Sequence, residues 1–289
     1  MRNESIYSRI FDVVNIAFLC LLSLTFLYPV CYVISLSLSS PSAIITGRVF
    51  FYPVDINISA YRHIFKDASI MNSLLFTTQL TIMGIICSMF SIILVAYPLT
   101  RRQFRGGGIF MRLIVFTMYF SGGIIPTYML VRGLGLFNSI WALILPNLID
   151  TFLLIIVINF FRGLPYELEE AAKVEGCSNF DVFWRIYLPL SMAILATLII
   201  FLAVNYWNTF FNALMYMQDQ KRMTLQVKLY QVLNMFSDSL SDSAGPSPDV
   251  IPENVKGATI VVAVLPIVIV YPFMQKYFVK GVSIGAIKG

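Results

Sequence analysis

Apolar residues in this chain fall in long runs, and the polar residues are gathered into shorter stretches between them. A helix needs about 20 consecutive, mostly uncharged residues to cross the hydrocarbon core of a bilayer. Six runs meet that requirement, at about 13 to 38, 72 to 98, 110 to 131, 139 to 160, 190 to 212 and 258 to 275. The pattern predicts an all-α polytopic membrane protein with six transmembrane helices. The first run, "VVNIAFLCLLSLTFLYPVCYVISLSL", is far longer than the apolar stretch of about 7 to 15 residues in a signal peptide, so it reads as an uncleaved anchor.

Composition agrees with this. Of 289 residues, 58% are hydrophobic and 12% charged, against about 25% charged in an ordinary soluble chain. The four cysteines, Cys20, Cys31, Cys87 and Cys177, are scattered without a CxxC pair, and His63 is the one histidine. Neither a disulfide framework nor a zinc site is expected. In a soluble protein the net charge of +5 would suggest nucleic acid, but in a membrane protein Lys and Arg gather on the cytoplasmic side. No nucleic-acid partner is expected. "TRRQFRGGGIFMR", between the second and third runs, holds Arg101, Arg102, Arg105 and Arg112, whereas "RGLGLFNS" after the third holds Arg132 alone. The first of these loops is therefore cytoplasmic, and six spans then put both termini on the cytoplasmic side of the cell membrane.

The stretch "ELEEAAKVEGCSNFDVFWRIYLPL", Glu167 to Leu190, carries five of the fifteen acidic residues. Its seven ionisable residues from Glu167 to Arg185, at roughly 2.5 to 3.5 kcal/mol each, would cost about 20 kcal/mol to bury in a bilayer. The stretch belongs in water, on the cytoplasmic side. Pro165 suits a first helical position, Glu167, Glu169 and Glu170 complement the dipole of a first turn, and Gly176 ends the helix. Ser178 and Asp181 form a capping pair for a second helix. Phe180, Phe183, Trp184 and Tyr187 then fall on one face, and Pro189 limits the helix where the fifth span begins. The expected element is a helix, turn and helix with aromatics towards lipid or protein and carboxylates towards water.

Within it, Glu170, Ala171 and Ala172, then Gly176, then Ile186, Leu188 and Pro189 follow the spacing EAA, x3, G, x9, I, x, L, P. This resembles the EAA loop of membrane subunits in binding-protein-dependent ABC importers. "SGGIIPTYMLVRGLGLFNSIWALILP", "NYWNTFFNAL" and "QKYFVKGVSIGAIKG" resemble the carbohydrate branch of those permeases, and the chain is similar to the second membrane subunit of the maltose-type importer. "SGGIIPTY" and "GAIKG" look most like the subgroup that serves complex oligosaccharides in Gram-positive bacteria. The resemblance implies a type I ABC importer permease fold. Residues 1–71 would be an N-terminal anchor helix and outer loop, and residues 72–289 a transmembrane domain with a coupling loop at about 162–189.

It further implies that this loop docks into a cleft of an ABC ATPase dimer, with Leu168 buried there, Ala171 and Ala172 allowing close approach, and Glu170 paired with a basic group. Breaking such an interfacial charge pair leaves the other charge buried and unpaired. The implied partners are a second, related permease subunit, the ATPase dimer, an extracellular solute-binding protein and a carbohydrate. ATP and Mg would sit on the ATPase subunits, with no cofactor on this chain. The sequence has no G-x4-G-K-[ST] loop. No nucleophile and base arrangement accompanies the lone His63, so a transport subunit without enzyme chemistry is expected. An ion-coupled carrier, the contrasting reading, would need ionisable residues inside the spans. The spans show essentially none, with Arg112, Arg132 and Asp150 read as lying near span ends. An ABC permease for a non-sugar solute is the other alternative.

A path for sugars should offer amides, hydroxyls and aromatic faces. Asn205, Asn208 and Asn212 fall roughly on one helical face near Tyr206, Trp207 and Tyr216, and Tyr119 and Tyr128 flank Gly122 and Gly123. These residues either line the path or serve as interhelical hydrogen bonds, glycine packing and an interfacial aromatic belt. The outer loop from about Gln218 to Lys256 begins with a helical pattern, "MTLQVKLYQVLNMF", and continues as a Ser, Asp and Pro-rich stretch, "SDSLSDSAGPSPDVIPEN". It is either a solvated connector or, by the resemblance, the contact with the binding protein. Lys276, Lys280 and Lys288 in the tail fit equally an ATPase contact or inner-face anchoring.

Overall fold

A computed structural model describes residues 6–101, 104–238 and 251–286, and every regular element among them is helical. In chain order these are α1 (Ile6–Leu38), α2 (Pro41–Ile45), α3 (Ser59–Lys66), α4 (Ala68–Thr100) and α5 (Gly107–Tyr119). There follow α6 (Ile124–Gly133), α7 (Trp141–Ile144), α8 (Thr151–Arg162), α9 (Glu167–Val174) and α10 (Asn179–Val182). The last five are α11 (Leu188–Leu190), α12 (Met192–Trp207), α13 (Phe211–Tyr216), α14 (Leu225–Asp238) and α15 (Pro252–Ala286). The second part of the outer loop, residues 239–250, and Lys288 lie outside the described residues, as do the side chains of Lys276 and Lys280.

The chain divides into two compact units, residues 1–71 with 229–265 and residues 72–228 with 266–289. In the first unit, most of α1 presents its apolar side chains outward, and its C-terminal end is held by hydroxyls. Ser37 Oγ lies 2.8 Å from Tyr61 Oη, and Ser39 Oγ accepts the Val54 amide at 3.0 Å. A Cβ at Gly257 would lie 3.1 Å from the Ser37 nitrogen and 3.2 Å from the Val33 carbonyl oxygen, so the missing side chain lets α15 approach the α1 backbone. Helix association in a bilayer relies on such close packing, because lipid tails are as apolar as the helices.

In the second unit the core is built from α4, α7, α8 and α12, with Leu80, Ile92, Leu143, Leu154, Ile158, Phe161, Leu202 and Tyr206 fully enclosed. Three helices, within Ile10–Leu38, Ala68–Thr100 and Pro252–Pro272, are long and apolar enough to cross a membrane alone. The other three expected spans are broken. Six crossings result when each bent pair is one span.

The third span bends by 112° between α5 and α6, where Ser121, Gly122 and Gly123 interrupt the helix and Gly123 adopts φ +84°. The fourth bends by 51° between Asn147 and Thr151, just after Pro146. Asp150 is the cap of its second half, accepting the Leu153 amide at 3.0 Å. Asp150 therefore lies in the middle of the fourth span and not near its end, as the sequence reading had it. A helix restarting inside the span needs a side-chain acceptor for its free amides, which is what a carboxylate supplies. At Ser191 the second arm of the polar hairpin bends by 75° into the fifth span, whose long helix stops at Trp207 instead of continuing to residue 212. Asn205, Asn208 and Asn212 thus lie on α12, at its C-cap and on α13, and not on one helix.

Candidate functional site

The polar hairpin forms as its local sequence dictates. Helix α9 carries Glu167, Glu169 and Glu170 in its first turn, where the exposed amides favour negative charge. It ends in a Schellman arrangement: Gly176 N donates to Lys173 O and Cys177 N to Ala172 O, both at 3.0 Å. That geometry requires a left-handed residue, and Gly176 has φ +84°. Ser178 then caps α10, its Oγ accepting the Asp181 amide at 3.2 Å while Asp181 Oδ2 accepts the Ser178 amide at 3.1 Å. The hydroxyl of Ser178, followed by its amide, holds the Asp181 carboxyl below its usual pKa of 3.8; burial opposes this, and Arg185 lowers it slightly further.

Two expectations for the hairpin change. The aromatic residues do not share a face: Phe183 and Tyr187 are buried, whereas Phe180 and Trp184 are exposed and stacked on each other, 6.4 Å between centroids. The four residues span about 100° of helix circumference, and the buried edge takes Phe183 and Tyr187 while the outer edge leaves Phe180 and Trp184 exposed; a π turn also runs over Phe183–Tyr187, in which the Leu188 amide reaches back five residues to the Phe183 carbonyl. Pro189 has no amide with which to restore the ordinary ladder after that turn.

Nor do all the carboxylates face water. Glu169 is 3% exposed. Its Oε1 accepts from Lys173 Nζ at 2.7 Å, its Oε2 from Tyr187 Oη at 3.3 Å, and Oε2 is also ion-paired with Arg101 Nη1 at the end of α4. The Arg101 guanidinium stands 4.0 Å over the Tyr97 ring and 4.8 Å over that of Tyr187. Tyr97 Oη donates to the Asn179 carbonyl at 2.7 Å. A cavity of about 760 Å³ opens beside this cluster, with Arg162 and Tyr166 on its wall. Reading the sequence passed over Glu169 because it treated every acid of the hairpin as solvated. The available signal was an arginine at the end of an apolar run and a lysine four residues after the acid.

Of the EAA positions, Glu170, Ala171 and Gly176 are exposed, Ala172 is buried, Ile186 and Leu188 are half-buried and Pro189 is exposed. Leu168 is exposed on the same outward side as Ala171, and Val174 is 89% exposed. An acidic, small-residue and apolar surface is thus presented by a helix whose inner side is fixed.

A second feature is a cavity of about 530 Å³ at the break of the fourth span. Asn205, Asn208 and Asn212 line it, together with Asn147, Asp150 and the rings of Phe152, Phe201, Phe210 and Phe211. Sequence reading had not placed Asn147 or Asp150 there. Among the described residues no cation pairs with Asp150. Trp207 is buried and faces a different, apolar groove with Thr81 and Ile85. Tyr128 packs against Phe137 and Tyr216, and Tyr119 is exposed at the end of α5, so neither lines the cavity.

A bundle of apolar helices, some of them broken within the span, joined to a tethered polar hairpin, is the architecture of a membrane transport component. The chain matches the family described as binding-protein-dependent transport system inner membrane component over residues 1–284, and it belongs to that family. It is 42% identical to Protein LplC of Bacillus subtilis strain 168 over 283 residues, 97% of this chain and 96% of that protein. It is 41% identical to the polygalacturonan/rhamnogalacturonan transport system permease protein YtcP of the same organism, over 98% of this chain and 99% of that protein. Its fold is similar to a chain in the crystal structure of a bacterial ABC transporter involved in the import of the acidic polysaccharide alginate, with TM-score 0.88 and 33% identity, covering 96% of this chain and all of that one. Family membership, and not an absence of ionisable residues within the spans, is what decides against the ion-coupled carrier, since Asp150 lies inside one.

Proposed function

We propose that the chain is one half of a heterodimeric pore that imports a carbohydrate, an oligosaccharide in particular, with ATP hydrolysed on separate subunits. The related proteins named above supply the substrate class: two of the three carry polysaccharide transport in their names. The cavity at Asp150 suits such a solute, because amides and a carboxylate exchange hydrogen bonds with hydroxyls while phenylalanine rings cover the sugar's apolar faces. This chain carries no ATPase site of its own in this reading. Both termini lie in the cytoplasm, an extracellular binding protein delivers the sugar, and the hairpin at 162–189 meets the ATPase dimer.

One observation carries the reading of the hairpin: Leu168, Glu170, Ala171 and Val174 face outward from a helix whose Glu169 and Ala172 are buried. A helix oriented firmly from behind and left apolar in front is suited to a docking cleft on a partner. ATP binding then closes the partner dimer, the hairpin follows, and the pore turns outward to receive the sugar.

Glu170→Lys tests this. In the assembled importer, labelled oligosaccharide mixtures, neutral and uronate-bearing, should enter at about one-tenth of the normal rate or less while ATP hydrolysis persists, since an interfacial charge has been reversed. Uptake and stimulated hydrolysis both at normal levels would exclude α9 as the contact.

A further inference from the structure

The hairpin is joined to the helices before and after it by bends. Between α8 and α9 the chain passes through Gly163, Leu164 and Pro165, and between α11 and α12 it turns by 75° at Ser191. A loop and a sharp bend both yield when pushed, so the covalent connections are compliant routes for a displacement of α9. The one long helix that touches the hairpin is α4, and it does so through side chains.

Those contacts converge on the last turn of α4. Arg101 pairs with Glu169 of α9, and its guanidinium lies against the rings of both Tyr97 and Tyr187, which themselves meet edge to face with centroids 5.3 Å apart. Tyr97 reaches the other arm of the hairpin, donating to the Asn179 carbonyl at 2.7 Å and packing on Phe183 with centroids 4.7 Å apart. Lys173 also meets Glu169, but from the same helix, so it ties α9 to nothing else. A planar guanidinium packed against two rings and paired with a buried carboxylate has less freedom to swing than a solvated pair of long side chains, which makes this a stiff connection. Burial adds to this, because separating the partners strands a carboxylate that is 3% exposed.

We infer that Arg101 and Glu169 form a latch that makes the hairpin and α4 move as one body, so that force arriving at α9 is delivered to the second span. In this arrangement Glu169 is a positioning residue, acting through α4, whereas Glu170 faces the partner. The inference rests on the reading of α9 as the ATPase contact.

Spin labels distinguish the two. One pair is placed on Leu94 of α4 and Phe180 of the hairpin, and a second on Phe180 and Met192 of α12; all three side chains are exposed. Distances are measured in the assembled importer in liposomes, first without nucleotide and then trapped with ATP and vanadate. The latch predicts that the Phe180–Met192 distance shifts on trapping while the Phe180–Leu94 distance stays fixed. In Glu169→Gln the Phe180–Leu94 distance should shift or broaden as well. Arg101→Met should do the same, and combining the two should add nothing, since both remove one interaction. A Phe180–Leu94 distance that changes in the native protein, or that ignores both substitutions, overturns the latch. If instead neither distance responds to trapping, α9 is not where the ATPase acts and the underlying reading falls with it. A residue needed merely for folding would lower the amount of assembled importer and leave the distances in the surviving fraction unchanged.

Discussion

Tyr206 Oη lies 2.8 Å from Ser88 Oγ, and the ring beneath that hydroxyl covers Gly84, one turn earlier on α4. A Cβ at Gly84 would stand 2.6 Å from the ring carbons, so α12 and α4 are packed as closely as glycine allows. Tyr206 is held at its far end by the hydroxyl contact and cannot simply rotate away. Gly84→Ala should therefore destabilise the protein by about 1 to 3 kcal/mol, the usual range for overpacking. Thermal unfolding in detergent would show it as a lower midpoint, and an unchanged midpoint would mean that the two helices are less tightly packed than this.

Asp150 separates two roles that different substitutions can isolate. Asn caps a helix about as well as Asp, so Asp150→Asn should retain stability, while Asp150→Ala should lose about 1 kcal/mol. If the carboxylate accepts hydrogen bonds from sugar hydroxyls, Asp150→Asn should still lower uptake of labelled oligosaccharide, by about tenfold for a charged hydrogen bond worth roughly 1.5 kcal/mol. Equal uptake in the Asn variant and the native protein would confine Asp150 to capping.

At Gly176 the left-handed backbone, φ +84°, leaves room for a side chain but penalises one by conformation. Gly176→Ala should cost about 1 kcal/mol and loosen the end of α9. Faster hydrogen exchange of the amides that close the turn, those of Gly176 and Cys177, is the expected readout. No change in their exchange would show that the turn tolerates alanine.

The Asp181 carboxyl is held below its usual pKa by Ser178, so its capping contribution is complete above pH 3.8 and is lost as pH falls through the lower folded value. The hairpin should be indifferent to pH across the neutral range, and Ser178→Ala should move the Asp181 titration back up towards 3.8. Carbon NMR of labelled aspartate carboxyls would detect that movement, and a titration unmoved by the substitution would remove Ser178 as its cause.

Much of this molecule could be read from residue order alone, and what could not has identifiable reasons. Long apolar runs mark spans because the bilayer leaves few alternatives, and the hairpin's caps at Gly176 and Ser178 follow from local backbone chemistry. The breaks within spans were less legible. A window average sees apolar residues on both sides of Gly122 and Gly123, or of Pro146 and Asp150, and passes over the interruption. The asparagines at 205, 208 and 212 were grouped on a helix that ends at Trp207, yet the fold still brings them to one cavity. Glu169 and Glu170 are adjacent acids with opposite surroundings, and what distinguishes them is Arg101, far away in the chain. Tertiary pairing of that kind has no local signature.

Helix α4 has 33 residues, and at 1.5 Å per residue it is about 50 Å long, against a hydrocarbon core of about 30 Å. Even when tilted, it must extend beyond the lipid at one side or both. The surplus is what lets an arginine at its tip reach a carboxylate in the aqueous hairpin. It makes α4 a rod running through the full thickness of the membrane, with Pro98 interrupting its ladder only in the final turn. A displacement applied there would be carried into the rod through Tyr97, which touches the hairpin from the near side of that interruption.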